Sequence, residues 1–325
     1  MKSYWMQSDG IKADIELRDI DQPTPGPDQL LVRVKAAGLN RGEFILSHGL
    51  HKAGAAKQIG MEAAGEVVSC GSAVTGFKVG DRVMGRCPGA FAEYALMTER
   101  EIMRVPKSLT WEQAAALPLT ALVVFDMLVI QGDLQSGEWV LVTGVSSGVG
   151  VTALAVAKAL GAKVIGTSGS QEKLDQLRDQ GLDLGICTRD PNFYDAVMKA
   201  TDGKGVDLVI NTVGGSVFAE CVRTMAFEGR LATVGYVDGV LKAEIDIEAL
   251  HAKRLRLFGV SNKLRTPEQR AQAMPEFKEH ILPLVESGLI VPMIYKTIPF
   301  ENLLEAKAMM DGNRHVGKIV LSGTP

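Results

Sequence analysis

The sequence predicts an α/β protein with two domains, in which a doubly wound parallel sheet is inserted into a β-rich domain. A chain of 325 residues is too long for one ordinary hydrophobic core. Its pattern also changes near residue 137, where short apolar runs that end in glycine begin to alternate with helical segments. Strands that are apolar along their whole length and alternate with helices are typical of a parallel sheet covered on both faces.

The β-rich domain is predicted from the two ends of the chain. Residues 1–120 contain β-branched runs that end in glycine, such as QLLVRVKAAGL and GEVVSCG, and turn residues separate these runs. Residues 121–262 hold the alternating strands and helices. The alternation stops after about residue 262, so we expect residues 263–325 to return to the first domain and complete it.

Composition and charge argue against several classes of function. The 35 basic and 38 acidic residues give a net charge of −3, which does not predict a nucleic-acid-binding surface. The most apolar stretch, residues 114–130, contains Pro118 and Asp126 and is too short for a membrane span, so it predicts a buried helix. The four cysteines lie far apart without C-x-x-C spacing, and the N-terminus lacks an apolar signal segment. We therefore expect a cytoplasmic protein with reduced thiols and no nucleic-acid or membrane partner.

A glycine-rich turn stands between the first strand and the first helix of the α/β region. Its last glycine, Gly150, fits the dinucleotide fingerprint, whereas the two earlier glycine positions of that motif fall on Val145 and Ser147. Such a turn directs backbone N–H groups and the positive end of a helix at a pyrophosphate. The residues predicted to bind the cofactor here are Gly144, Ser146, Ser147, Gly148, Val149 and Gly150. A glycine-rich turn with a purely structural role is the alternative.

The end of the second strand predicts which dinucleotide is bound. An NAD site usually has an acid about 20 residues after the glycines, and the stretch KVIGTSGSQ contains none. Ser168 and Ser170 offer hydroxyl groups there, and Lys173 offers a positive charge that favours an additional phosphate. We therefore predict NADPH as the cofactor, with Ser168 and Lys173 among its contacts. An ordinary solvated lysine is the alternative for Lys173.

Seven consecutive blocks cover the chain almost end to end: AAGLNRGEF, GMEAAGEVVSCGSAVTGFKVGDRVMG, GAFAEYALM, QAAALPLTAL, GEWVLVTGVSSGVGVTALAVAKALGAKVIGT, GKGVDLVINTVGG and HVGKIVL. In this order they resemble the zinc-independent quinone oxidoreductase branch of the medium-chain dehydrogenase/reductase superfamily. The resemblance implies a GroES-like domain interrupted by a Rossmann domain, with the cofactor in the cleft between them. It also implies a homodimer.

The same resemblance argues against a metal site. Zinc members of the superfamily have a cysteine in a G-L-C-like block and a histidine in G-H-E, where this sequence has Asn40 and Met61. Neither side chain suits a zinc ion, which prefers thiolate and imidazole ligands. The four-cysteine structural lobe of zinc relatives is also missing. A different metal site made by His48, His51 and Glu62 is a weak alternative, and we predict no metal.

The resemblance places two candidate catalytic residues near the nicotinamide and the substrate. The side-chain amide of Asn40 is predicted to orient a carbonyl oxygen, and a turn asparagine that bonds its own backbone is the alternative. His51 stands where relatives often carry a tyrosine, and we expect it to donate a proton after hydride addition. A surface-loop histidine is the alternative for His51, His48 is a weaker candidate, and water is another source of the proton.

Further candidates follow the later strands. Asn211 comes directly after the strand VDLVI and Gly235 after the next strand, so both are predicted to lie near the cofactor. Arg314 and Lys318 are candidates for cofactor or substrate contacts, or else solvated basic residues near the end of the chain. Two departures from the family pattern weaken the expected contacts: Val123 replaces a threonine and Thr188 replaces a tyrosine.

Taken together, these features predict an NADPH-dependent, metal-free oxidoreductase. Its expected acceptors are quinones or α,β-unsaturated carbonyl compounds, namely enones, alkenals and enoyl thioesters. An NADPH-binding protein with weak or no catalysis, acting as a structural or cofactor-sensing partner, would carry the same glycine turn and is the main alternative. A metal-free, NAD-dependent alcohol dehydrogenase would require an acid at the end of the second strand, where none is found.

Overall fold

The computed structural model describes residues 1–8, 13–44 and 55–323 and confirms the predicted fold class. The chain forms two compact units. One comprises Met1–Thr120 and Arg265–Pro325, and the other comprises Ala121–Leu264. The first unit is β-rich and the second is built on a parallel sheet. None of the helices in the described ranges is both long and apolar enough to cross a membrane.

The strands of the described residues are β1 (Lys2–Ser8), β2 (Ala13–Asp19), β3 (Gln29–Gly38), β4 (Lys57–Gln58), β5 (Glu62–Cys70), β6 (Arg82–Arg86), β7 (Tyr94–Thr98), β8 (Ile102–Arg104), β9 (Trp139–Thr143), β10 (Lys163–Ser168), β11 (Leu184–Cys187), β12 (Val206–Asn211), β13 (Met225–Thr233), β14 (Arg256–Gly259), β15 (Ile294–Pro299) and β16 (Lys318–Ser322). The α-helices are α1 (Trp111–Ala116), α2 (Pro118–Phe125), α3 (Gly148–Ala159), α4 (Gln171–Arg178), α5 (Tyr194–Ala200), α6 (Phe218–Thr224), α7 (Ile247–Ala252), α8 (Pro267–Ala271), α9 (Met274–His280), α10 (Leu282–Glu286) and α11 (Leu303–Asp311).

The β-rich unit combines segments from both ends of the chain. Its larger sheet has the order β15-β16-β3-β5-β6-β8, with β7 also paired to β3, and a smaller sheet has the order β2-β1-β4. The last strand, β16, runs antiparallel to β3, so that Val320 lies opposite Gly38. One hydrophobic cluster includes Leu30 and Phe91 from the first segment and Phe300 from the last. Burial of these side chains explains why the C-terminal segment returns to the first unit.

The second unit is a six-stranded parallel sheet with the order β11-β10-β9-β12-β13-β14. The chain moves outward from β9 to β11, and then crosses back to β12 and moves outward in the other direction. The order therefore reverses between β9 and β12, where Asn211 lies opposite Thr143. In doubly wound sheets, ligands bind outside the carboxyl ends of the strands at this reversal.

The apolar stretch at residues 114–130 differs from the single buried helix predicted above. It forms α1, α2 and then a π-helical turn over Asp126–Ile130. The break has a local cause, because Pro118 lacks a backbone N–H and is tolerated only at the start of a helix. The division between the units falls after Thr120, within α2.

A buried arginine joins three parts of the second unit. Arg230 of β13 is 6% exposed, and all its guanidinium nitrogens are hydrogen-bonded. Nη1 and Nη2 donate to the two carboxylate oxygens of Glu138 at 2.9 and 2.7 Å. Backbone carbonyls of Gly132, Asp133 and Asp207 accept the remaining hydrogen bonds. This arrangement satisfies a charge that would be costly to bury alone.

We expect Arg230→Met to lower the free energy of unfolding by about 3–5 kcal/mol, because it leaves the Glu138 carboxylate without its buried partner. Urea unfolding followed by circular dichroism measures this loss. The matched control is Arg178→Met, since the Arg178–Asp175 ion pair is exposed and should contribute less than about 1 kcal/mol. Equal effects of the two substitutions would contradict the prediction.

Candidate nucleotide-binding and catalytic sites

The glycine-rich turn lies at the reversal of the parallel sheet, between β9 and α3. Gly144 has φ +66°, and a Cβ atom there would lie 2.7 Å from Oγ1 of Thr212. A Cβ atom at Gly150 would lie 2.6 Å from the carbonyl oxygens of Gly144 and Val145. Both positions therefore require glycine, the first for its backbone conformation and the second for the close packing of helix on strand.

The N-terminus of α3 can bind an anion. Ser147 caps the helix, and its Oγ accepts a hydrogen bond of 3.1 Å from the backbone N–H of Gly150. The same hydroxyl can still donate its proton to a phosphate. Gly148 and Val149, the first two residues of the helix, have N–H groups without intrahelical acceptors and are partly exposed. This 12-residue helix thus offers the donors and the positive dipole that a pyrophosphate needs.

The end of β10 brings together the residues that the sequence predicts for the second phosphate. Ser168 is buried, and its Oγ lies 3.4 Å from Oγ of Ser146. Ser170 caps α4 by accepting a hydrogen bond from the backbone N–H of Lys173. The contact between the Ser146 and Ser168 hydroxyl groups therefore connects the glycine-rich turn to the end of β10. The cofactor contacts of Ser146, Ser168 and Lys173 remain predictions.

Asn211 supports the loop after β12 rather than offering a free amide. Its side chain is fully buried, and Nδ2 donates to the carbonyl oxygen of Gly214 at 2.9 Å. Its Oδ1 accepts hydrogen bonds from Thr143, Val213 and Gly214. The whole residue is buried in this structure, and a cofactor contact at Asn211 stays a prediction. Gly235 lies beside this loop, since a Cβ atom there would be 3.2 Å from the carbonyl oxygen of Thr212.

The β-rich unit holds a buried polar cluster around Asn40. Lys318, at the start of β16, donates to Oδ1 of Asn40 at 2.7 Å, to Oε1 of Glu62 at 2.7 Å and to the carbonyl oxygen of Leu39 at 2.9 Å. Glu62 is fully buried, and its Oε2 accepts a hydrogen bond of 2.9 Å from the backbone N–H of Leu119 in the first turn of α2. Lys318 and Glu62 therefore form a buried ion pair in which all three ammonium protons are used.

The orientation of the Asn40 amide follows from this cluster. An ammonium group only donates, so the Asn40 atom that faces Lys318 must be the oxygen. The amide nitrogen then donates to Glu43 at 2.8 Å and to Glu62 at 3.0 Å, which uses both of its hydrogens. Asn40 is the partly exposed residue of the cluster, and in this orientation only its Oδ1 has capacity for a further hydrogen bond. The sequence predicts that Asn40 donates a hydrogen bond to a substrate carbonyl. For that, its amide nitrogen would have to break its hydrogen bond to Glu43 or to Glu62.

Glu43 is an acid with an unusual environment. It is 3% exposed, and burial raises its pKa to about 8, although the hydrogen bond from Asn40 and the charge of Lys318 act in the opposite direction. Glu43 is therefore mostly protonated at neutral pH, and the carboxyl groups of Glu43 and Glu62 do not both carry a charge beside Asn40. The sequence alone does not single out Glu43, because no motif marks an acid that folding buries.

We expect this proton to make stability depend on pH. The carboxyl group of Glu43 stays protonated in the folded protein up to about pH 8 but ionises near 4.5 in the unfolded chain. Stability from this group is thus fully present below pH 4.5 and is lost as the pH rises to about 8. In Glu43→Gln, the free energy of unfolding should fall less steeply with pH over this range than in the wild type. The two slopes should differ by about 1 kcal/mol per pH unit. Urea titrations at several pH values test this, with Glu66→Gln on the exposed face of β5 as the control; identical slopes for wild type and Glu43→Gln would contradict it.

The remaining predicted residues are not part of this cluster. His48 and His51 lie outside the described residues, so the proton-donor role of His51 stays a prediction. Lys318 belongs to the cluster, whereas Arg314 is exposed. Within the described ranges, no group of three or more histidine, cysteine, aspartate or glutamate side chains is arranged to hold a metal ion.

Comparison with protein families supports the two-part architecture. Residues 26–107 match the alcohol dehydrogenase GroES-like domain, and residues 148–279 match the zinc-binding dehydrogenase family. The acryloyl-coenzyme A reductase of Sulfurisphaera tokodaii is 30% identical, and the alignment covers 96% of this chain and 97% of that protein. The chain belongs to the medium-chain dehydrogenase/reductase superfamily, in its zinc-independent quinone oxidoreductase branch.

Other medium-chain relatives extend the comparison. A phenolphthiocerol/phthiocerol polyketide synthase of Mycobacterium tuberculosis is 31% identical over 95% of the chain, but the chain spans only 14% of that protein. The structure of mycobacterial Rv1454c complexed with NADPH has a TM-score of 0.87 at 27% identity and covers 99% of this chain and 100% of that one. A quinone oxidoreductase of Pseudomonas syringae has a TM-score of 0.87 at 28% identity, with 99% of both chains covered.

Proposed function

We propose that this protein is a reductase that uses NADPH to transfer a hydride to a quinone or an α,β-unsaturated carbonyl compound without a metal ion. The observation that carries the proposal is the position of Lys318, whose ammonium group bridges Asn40 and Glu62. Zinc relatives have a cysteine ligand at the position of Asn40. Here a fixed positive charge is bonded to that residue, and it would repel a divalent cation. An acceptor that no metal polarises must already be electrophilic, as quinones and conjugated carbonyl compounds are.

The nucleotide-binding unit fits NADPH. The turn at Gly144 and Gly150 has no room for side chains, and the N-terminus of α3 offers N–H groups to the pyrophosphate. Ser146, Ser147 and Ser168 supply hydroxyl groups on the same edge of the sheet. The end of β10 has no acid that would repel a second phosphate. When bound, NADPH supplies the hydride.

The β-rich unit contributes a rigid polar group rather than a metal. Lys318 and Glu62 hold the amide of Asn40 in one orientation, which is the kind of preorganisation that lowers reaction barriers. The Oδ1 atom of Asn40 accepts from Lys318 and has capacity for one more donor. We assign residues 121–262 to NADPH binding, and residues 1–120 with 263–325 to the substrate. His51 is the proposed proton donor.

Among the possible acceptors, an enoyl thioester is the first to examine. The acryloyl-coenzyme A reductase is similar over nearly its whole length, and the polyketide synthase is similar over one segment. The quinone oxidoreductase of Pseudomonas syringae supports the quinone as the second acceptor. Both acceptor types take a hydride at an electron-poor carbon, so the same positioning of NADPH serves either one.

We expect the chelator-treated protein to oxidise NADPH with crotonyl-CoA, 2-hexenal or 1,4-benzoquinone, measured as the decrease in NADPH absorbance. Added zinc should not increase the rate, and NADH should be a poorer donor. Activity that depends on zinc would contradict the metal-free assignment. Tight binding of NADPH without turnover of any acceptor would favour the alternative, a cofactor-binding protein without catalysis.

We also propose that the protein is a cytoplasmic homodimer. Among the strands of residues 1–8, 13–44 and 55–323, the edge strand β14 pairs only with β13, and the same unit exposes Val237, Leu241 and Ile247. A second copy would cover such an edge. All four cysteines are free thiols, which fits a reducing compartment.

Sedimentation velocity is expected to give twice the mass of one chain. Phe258→Pro in β14 should shift the population towards the monomer, because proline has no backbone N–H to donate to a neighbouring strand. A monomeric wild type would contradict the proposal.

A further inference from the structure

A row of charged side chains crosses the end of the larger sheet in the β-rich unit. The pairing of β5 with β6 puts Arg86 directly opposite Glu62. In the pairing of β6 with β8, Gly85 lies opposite Ile102. The next residues along these two antiparallel segments are Arg86 and Glu101, which form an ion pair. Side chains directly opposite on antiparallel strands share one face, with Cβ atoms about 5 Å apart. Arg86 therefore stands between two glutamates.

Both glutamates already have another cation. The Nζ atom of Lys318 lies 2.7 Å from Oε1 of Glu62. Glu101 accepts a hydrogen bond of 2.6 Å from Nε of Arg270 in α8, and its second oxygen lies 3.5 Å from Nη2 of the same arginine. Arg270 is also bonded to the backbone, because its Nη1 donates to the carbonyl oxygen of Arg265 at 2.7 Å. Each carboxylate is therefore paired with a cation other than the one between them.

Arg86 has no comparable partner. Its Nη1 lies 3.8 Å from Oε2 of Glu101, which is beyond hydrogen-bond distance. Its side chain is only 23% exposed, yet its guanidinium group forms no hydrogen bond within residues 1–8, 13–44 and 55–323. Burial and the charge of Arg270 lower the pKa of Arg86 more than the carboxylate of Glu101 raises it. This partly buried cation thus lacks the hydrogen bonds that usually offset the cost of burial.

The row has an excess of one positive charge. Its members are three cations and two acids, namely Lys318, Glu62, Arg86, Glu101 and Arg270. Another acid that acts on Arg270, Glu268, is paired with Arg100 at 3.1 Å. One carboxylate would balance the excess charge. The planar guanidinium group matches the two oxygens of a carboxylate through parallel hydrogen bonds.

We propose that Arg86 binds a carboxylate group of the acceptor, so that the protein prefers conjugated carbonyl compounds with an anionic end. The inference rests on the proposed reductase function and narrows its acceptor class. The row begins beside Asn40, because Oε1 of Glu62 accepts a hydrogen bond of 3.0 Å from the Asn40 amide. Arg270 is a positioning residue, since it holds the carboxylate of Glu101 and so leaves Arg86 open to a ligand.

A matched pair of acceptors tests this preference. 6-Oxo-4-hexenoate and its methyl ester contain the same conjugated aldehyde, but only the first ends in a carboxylate. The wild type should have a kcat/KM about 10- to 100-fold higher for the acid, as a charge-assisted pair of hydrogen bonds would give. Most of the difference should lie in KM, because the charged end is distant from the reacting carbon.

Substitutions assign the preference to Arg86. Arg86→Gln should lower kcat/KM for the acid about 10- to 100-fold and change it less than about twofold for the ester. Arg86→Lys should give an intermediate loss, because it keeps the charge but not the paired hydrogen bonds. Arg270→Gln should also weaken the acid, since Glu101 can then pair with Arg86. The control is Arg33→Gln, which removes an exposed positive charge of β3 and should change neither acceptor more than about twofold.

A binding measurement without turnover separates this inference from the proposed function. Hexanoate and hexanamide cannot be reduced, and saturation-transfer NMR detects weak binding of either one. Hexanoate should bind the wild type and should bind Arg86→Gln at least about 10-fold more weakly, whereas hexanamide should not distinguish the two proteins. Thermal midpoints show whether each variant folds. If Arg86→Gln does not fold, Arg86→Lys serves for the same comparison.

Several outcomes would overturn the inference. Equal losses for the acid and the ester in Arg86→Gln would indicate a structural role, and an unchanged preference in that variant would place the carboxylate elsewhere. A wild type that prefers the ester, or that binds hexanoate no better than Arg86→Gln does, would contradict the carboxylate site. Arg86-dependent binding of hexanoate without turnover of any acceptor would overturn the reductase function and retain the site.

Discussion

The buried ion pair of Glu62 and Lys318 determines how the β-rich unit presents Asn40. Burying two charges costs several kcal/mol for each ion, and the cost is offset only when the remaining donors and acceptors are satisfied. Here the ammonium group makes three hydrogen bonds, and both carboxylate oxygens of Glu62 accept hydrogen bonds. The pair joins the end of β3, the start of β5, the first turn of α2 and the start of β16. Asn40 therefore has one orientation because four chain segments fix its neighbours.

The two units differ in whether their charged and polar groups are left open or are paired. In the nucleotide-binding unit, partial positive charges on backbone N–H groups are left open at the start of α3, ready for the negative charges of a dinucleotide. In the β-rich unit, full charges are paired and buried, and the carboxyl group of Glu43 is mostly protonated at neutral pH because burial raises its pKa. The first arrangement suits an anion, whereas the second holds a polar side chain in one orientation.

Hydrogen bonds, and not a metal ion, fix the side chains around Asn40 in the proposed metal-free site. A zinc ion would fix its ligands through coordination bonds, and relatives that bind zinc use the same stretch of sequence for that purpose. In this chain Lys318 fixes Asn40 and Glu62 through hydrogen bonds. The resulting group cannot act as a Lewis acid towards a carbonyl oxygen. This restriction on the acceptor is the physical link between the cluster and the proposed reduction of conjugated substrates.

The sequence by itself determined the fold class, the glycine turn and the predicted cofactor, because strand–helix alternation, obligatory glycines and the lack of an acid after β10 are local patterns. It also predicted Asn40 as a site residue, but not the orientation of its amide. That orientation depends on Lys318, 278 residues away in the chain, and only β16 pairing with β3 brings the two together. Glu43 lies within the block AAGLNRGEF, but nothing in the sequence marks it as a buried acid. Burial is a property of the folded chain, so only the tertiary structure decided that the pKa of this carboxyl group is raised.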